Sequence, residues 1–160
     1  MFVIKKLIPS ISIEGNERNA GIIYINTKNN IIEDIEEVVN IQGGLAHATP
    51  GGVIALFLDP NENELVKVAN QILQKTKELG LRSKIGINSG KVIIEEIPGQ
   101  HIKYASLGNA TSVAKKIAVI ENGIIISDEL HKRIGKDLRA EKRGDGWFVK
   151  GFADPKYLKY

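Results

Sequence analysis

Between Lys84 and Ser127, two apolar, β-branched runs bracket a hairpin and a helix, and few folds accommodate that order. The first run, within Leu81 to Asn88, passes through Ile85-Gly86-Ile87 and leads into Ser89-Gly90-Lys91-Val92; the second is Gly123-Ile124-Ile125-Ile126-Ser127. Short continuous apolar runs of this kind are the pattern of buried strands. Between them, Val92 to Ile97 and His101 to Leu107 read as a hairpin turning at Pro98-Gly99. Gly108-Asn109 then caps a helix that the spacing carries from Asn109 to Ile120.

The remainder of the chain extends the same alternation. Phe2 to Ile13 is strand-like but interrupted by Pro9, which suits an edge strand or an appended hairpin. Glu14 to Asn19 reads as a polar turn, and Gly21 to Ile25 as the first core strand. Ile31, Ile35, Val38 and Val39 fall on one face of a helix that ends at Gly43-Gly44. Leu45 to Thr49 and Val53 to Leu58 form a hairpin about Pro50-Gly51-Gly52. Glu62 to Leu79 is a second amphipathic helix stopped by Gly80, Asp128 to Ile134 is a short helix, and Gly146 to Lys150 with Tyr157 to Tyr160 reads as a closing strand pair. Strands interleaved with helices give an α+β sheet layered with helices rather than a sandwich.

Composition bounds the chemistry. With 160 residues and 42% hydrophobic content the expectation is one domain, residues 1–160, with 1–20 as an N-terminal extension. There is no cysteine, so disulfides and thiolate metal sites are excluded, and three scattered histidines point to no metal centre. Charges of both signs are spread along the chain, with a net +3 and a pI near 9.0, so nucleic-acid binding is not indicated. The N-terminus lacks a signal-peptide pattern and no run reaches membrane-span length, which leads us to expect a cytoplasmic protein. Abundant isoleucine, lysine and glutamate with few glutamines leans towards a thermophilic source.

The order Gly86 to Val92, then Tyr104-Ala105-Ser106-Leu107-Gly108-Asn109, a helix and Gly123 to Ser127, with the weaker Pro50 to Phe57 upstream and Phe148-Val149-Lys150-Gly151-Phe152 downstream, resembles the catalytic domain of class III adenylate and guanylate cyclases. The resemblance runs from about Gly21 to Tyr160. It implies a ferredoxin-like βαββαβ core with additional strands, usually working as a dimer with nucleotide at the subunit interface.

The same resemblance locates the family's functional positions in this chain, and the expected side chains are missing from them. The two metal-binding aspartates would fall on Asn26 and Gly51. A neutral amide brings no charge to a magnesium ion and a glycine brings no ligand, whereas two-metal phosphoryl chemistry needs both ions held. The base-selecting lysine and aspartate would fall on His47 and Ala105, and the transition-state asparagine and arginine on Ser112 and Lys116. Lys116 keeps a charge without the planar fork that grips phosphate oxygens in two places. After Asn26 the sequence runs Thr27-Lys28-Asn29-Asn30, without the family's phosphate-wrapping turn, and only one helical segment fits before Gly51.

These substitutions fall on one catalytic unit, so the reading is a catalytically degenerate cyclase homology domain, with no metal and no cofactor, acting as a homodimer or through a protein partner. The alternatives are a nucleotide-binding sensor using Lys28, His47, Ser112 and Lys116, a divergent active cyclase, and a nucleic-acid-binding regulator suggested only by the basic pI. Lys28, Lys115 and Lys116 read as solvated charge rather than an anion site. Glu95-Glu96 reads as part of a solvated hairpin, since adjacent strand residues point to opposite faces. His101 and His131 have no sequence partner, and Gly144-Asp145-Gly146 mimics the family's metal turn by chance.

Overall fold

The computed structural model describes residues 7–8, 16–97, 101–106 and 108–153. Its strands are β1 (Leu7–Ile8), β2 (Asn16–Asn26), β3 (Leu45–Thr49), β4 (Gly52–Leu58), β5 (Lys84–Ile97), β6 (His101–Ser106), β7 (Gly123–Ser127), β8 (Leu138–Arg143) and β9 (Gly146–Phe152). The α-helices are α1 (Ile32–Ile41), α2 (Glu62–Glu78), α3 (Gly108–Ile117) and α4 (Asp128–Ile134). All nine strands join one sheet whose main path is β3-β4-β2-β5-β7-β9-β8, with β6 on the outer part of β5 and β1 on β6. The first four main strands, taken as β2-α1-β3-β4-α2-β5, reproduce the ferredoxin-like order expected from the sequence.

Alternation along the central strands explains the layers. Ile23 and Ile25 of β2, with Ile85 and Ile87 of β5, point to one face and pack under α1, α2 and α4. Ile22 and Tyr24 point to the other face, where Ala110, Ala114 and Ala118 bring α3 close. The four isoleucines of the first set are fully buried. Each adds about 1.5–3 kcal/mol, more than the ~0–1 kcal/mol of an exposed ion pair, so packing rather than charge holds the layers.

Capping follows ordinary rules. Asn61 accepts a hydrogen bond from the Asn63 backbone at 3.0 Å to start α2, whose first turn carries Glu62 and Glu64 and whose last carries Lys75 and Lys77. The Ser127 hydroxyl accepts from Leu130 N at 3.1 Å to start α4. Among the described residues, no helix is long and apolar enough to cross a membrane.

Four expectations need correction. Asn16 to Asn19 are not a turn but the start of β2, paired with Ile94 to Lys91 of β5. Leu81–Asn88 and Val92–Ile97 are not separate strands, because Lys84 to Ile97 runs unbroken through Ser89-Gly90-Lys91. That long strand exists because β2 pairs with it over Asn16–Asn26, supplying backbone partners to residues with no apolar signal. Helix α3 ends at Ile117 rather than Ile120. The partner of Gly146–Phe152 is the charged strand Leu138–Arg143. The expected partner, Tyr157–Tyr160, lies outside the described residues, as do the Pro98-Gly99 turn and most of the expected strand over Phe2–Ile13.

That outer strand β8 is tied by ion pairs. Arg143 meets Glu121 at 3.0 Å and Glu141 at 2.7 Å, Lys150 meets Glu141, and Lys142 meets Asp128 at 2.7 Å.

Helix α3 lies so close to the sheet that a Cβ on Gly86 would sit 2.1 Å from the Ala114 carbonyl oxygen, a contact with rigid backbone. Gly86→Ala is therefore expected to destabilise by about 2–4 kcal/mol in chemical denaturation. Gly43→Ala is the contrast: Gly43 has φ +84° and open space around it, so only left-handed strain of about 1 kcal/mol is expected. Equal losses at the two positions would refute the close packing of α3.

Candidate functional site

The sequence-derived positions gather at the end of β2. Its last residue, Asn26, pairs with Gly52 of β4, which sets the Pro50-Gly51 turn beside it. The approach is tight, since a Cβ on Gly52 would lie 1.9 Å from the Ile25 carbonyl oxygen. Gly51 is exposed, and a Cβ there would meet the Tyr24 hydroxyl at 3.2 Å. Tyr24 is buried beneath the turn, with its hydroxyl 3.4 Å from Thr49 Oγ1; Thr49 in turn donates to the Gly52 carbonyl at 3.2 Å. Asn26 is half-buried and its amide donates to the Ala118 carbonyl, just beyond α3, at 3.4 Å.

The other positions are less convergent. In the register β3-β4-β2-β5, His47, Ile54, Tyr24 and Gly86 lie in one row, so His47 shares the α3 face and is exposed at its outer end. Ser112 and Lys116 are exposed on α3. Lys116 is paired with Asp145 at 3.1 Å, so the Gly144-Asp145-Gly146 turn, set aside from the sequence, neutralises one expected anion contact. Lys115 instead places its ammonium 5.8 Å from the centre of the Tyr24 ring. Lys28 is exposed after β2. The Ala105 backbone pairs with Ile94 and Leu7, and its side chain, like those of Glu95 and Glu96, lies outside the described part.

Chemically, the β2 end offers an amide, two hydroxyls and nearby ammonium groups. Among the described residues, no group of three His, Asp or Glu side chains is placed to hold a metal ion.

A second polar cluster escapes sequence reading. Glu62 at the start of α2 accepts from Arg133 of α4 through two nitrogens, at 2.8 and 3.0 Å, and from the Ser89 hydroxyl of β5, which also accepts from Arg133 at 3.2 Å. Glu62 and Arg133 are 71 residues apart, so no local pattern announces the contact. Burial pushes the Glu62 carboxyl up, but the hydrogen bonds from Arg133 and Ser89 and the Arg133 charge outweigh it and hold the group below 4.5. With the Glu62 charge matched by Arg133 and three of its acceptor sites in use, the cluster is a brace between α2, α4 and β5. His131 lies flat on Trp147, ring centres 3.7 Å apart, and burial lowers its proton affinity.

No family model matches this chain, and no curated protein matches it. Solved structures do. The guanylyl cyclase Cya2 is 19% identical, with a TM-score of 0.56 over 89% of this chain and 97% of that one. The guanylyl cyclase domain of the RhoGC fusion protein from the aquatic fungus Blastocladiella emersonii, in an unconventional dimeric form, is 14% identical, with a TM-score of 0.62 over 87% and 98%. The adenylyl cyclase CyaB from P. aeruginosa is 14% identical, with a TM-score of 0.61 over 89% and 97%. The chain therefore has the fold of nucleotide cyclase domains.

Two substitutions test this geometry. Asn26→Asp replaces a donor aimed at the Ala118 carbonyl by a second acceptor and should cost about 1 kcal/mol at pH 7 in urea unfolding; an unchanged midpoint would show that the contact is idle. Glu62→Gln should cost about 0.5–1 kcal/mol at pH 7, allowing for the solvent around Arg133. Because the folded carboxyl titrates below its ordinary value of 4.5, its contribution is complete above pH 4.5 and lost as pH falls through the folded value. The gap between native and variant stability should thus close in acid, and a gap that widens there would contradict the brace.

Proposed function

We propose that this chain is a catalytically silent domain of the nucleotide cyclase fold that acts by association, as a homodimer or with a protein partner. The observation that carries this reading is the junction of β2 with the β3–β4 turn. It brings together Asn26, whose amide is bound to Ala118, and Gly51, which sits against a buried tyrosine hydroxyl. Two-metal displacement needs carboxylates to fix the ions that clamp the attacking and leaving oxygens, and this junction supplies none. A fold kept without its reactive groups retains shape and surface, the properties that association uses. The RhoGC domain named above, of the same fold, is dimeric in one solved structure and monomeric in another.

A second reading, a nucleotide-binding sensor, draws on the exposure of Lys28, His47 and Ser112 around the same end of the sheet. It is weakened at Lys116, whose charge is already matched by Asp145.

Purified protein incubated with ATP or GTP and magnesium or manganese should form no cyclic nucleotide, while sedimentation should show a dimer or a cell extract should yield a stoichiometric protein partner. Metal-dependent cyclic nucleotide formation would end the silent-domain reading. Calorimetric titration with nucleoside triphosphates decides the second: saturable heat, lost on Ser112→Ala with Lys28→Gln, would put the sensor first.

A further inference from the structure

Strands β7 and β9 pair at only three positions, Ile125 with Phe148, Ile126 with Trp147 and Ser127 with Gly146. Beyond them the ladder stops, and Gly123-Ile124 on one side faces Val149 to Phe152 on the other without further pairing. A cavity of about 650 Å³ occupies this gap, walled on one side by α2. Its volume lies within the range of ordinary small-molecule sites. It belongs to the opposite end of the sheet path from the β3–β4 turn, and none of Asn26, Gly51, His47, Ser112 or Lys116 lines it.

The lining has two parts. Val66 and Leu73 of α2 and the buried Phe152 give an apolar wall. Lys77, Arg82 and Arg139 give a cationic rim, and no carboxylate lines the cavity among the described residues. None of these three has an acidic partner within 4 Å among the described residues, unlike Lys150 on the same rim, which is matched by Glu141. Arg139 lies across Gly151, close enough that a Cβ there would stand 2.8 Å from its Nη2, so the guanidinium is laid over bare backbone at the cavity mouth. Three like charges around one concavity repel each other, and an anion entering between them relieves that repulsion. Guanidinium groups beside an ammonium match the several oxygens and double charge of a phosphate better than a single carboxylate.

We propose that the cavity between α2 and the β7–β9 gap binds an organic phosphate, a phosphate monoester with an apolar body, the body against Val66, Leu73 and Phe152 and the phosphate at Lys77, Arg82 and Arg139. The site is separate from the β2 end and does not depend on whether the chain is catalytically silent.

The test is calorimetric titration of the full chain with octyl phosphate, with inorganic phosphate and octanol as the two halves of the ligand. One saturable site is expected for octyl phosphate, with each half binding at least about tenfold more weakly. The double variant Lys77→Gln, Arg82→Gln, changed only at exposed positions, should lose about tenfold or more in affinity while melting at the native temperature. Leu73→Trp should fill the apolar part and abolish binding. Absence of saturable binding at millimolar octyl phosphate would overturn the proposal, and so would native affinity in the double variant, whatever the folding of Leu73→Trp.

Discussion

Strand β5 fixes both faces of the molecule at once, and one buried side chain does much of that work. Asn88 is 6% exposed, yet its amide is engaged at both ends: Nδ2 donates to the Ala110 carbonyl in the first turn of α3 at 3.2 Å, and Oδ1 accepts from the Ser127 hydroxyl at 2.6 Å. Ser127 is itself the cap of α4. A single amide thus ties the start of a helix on one face to the cap of a helix on the other. A buried amide left without partners costs about 1–3 kcal/mol, so this arrangement disfavours any shift of β7 or α3 relative to β5. Gly86, one row away on the α3 face, removes the side chain that would hold α3 off.

From that anchor the two ends of the sheet acquire different characters. At the β3–β4 end, α3 and the turn close over Tyr24, and the polar groups there are spent on one another: Asn26 on Ala118, Thr49 on Gly52, Lys116 on Asp145. At the β7–β9 end the ladder stops early and three cations face a cavity that no carboxylate lines among the described residues. Satisfied groups hold a shape, whereas unsatisfied charge around a concavity is available to a ligand. The positions that resemble a cyclase site and the cavity proposed for an organic phosphate are therefore at different ends.

What is legible in the sequence is what neighbouring residues decide. The apolar run Gly21–Ile25, the 3.6-residue spacing of α1 and α2, the turn at Pro50-Gly51 and the short helix Asp128–Ile134 all carry local signals, and each is found there, with Gly52 taken into β4. What is not legible depends on distant partners. Asn16 to Asn19 read as a turn and Ser89 to Lys91 as a gap between strands, but the first pair with Ile94 to Lys91 and the second with Gly21 to Asn19, across some seventy residues. β8, Leu-Arg-Ala-Glu-Lys-Arg, has no strand signal beyond weak alternation and forms because β9 needs a neighbour. At the β2 end the motif order identified the positions to inspect, but not that the Tyr24 hydroxyl underlies Gly51 or that Lys116 is held by Asp145. The Glu62–Arg133 brace and the cavity arise only from the fold.

The charges on β8 bear on how copies of this molecule meet in a crowded solution. Among the described residues it is an outer strand, and outer strands are the template on which sheets grow from one molecule to the next. A strand laid along it would have to fit beside the side chains of Arg139, Lys142 and Arg143 and the links of the last two to Glu121, Asp128 and Glu141. Charges of this kind on an outer strand work against edge-to-edge stacking from one molecule to the next.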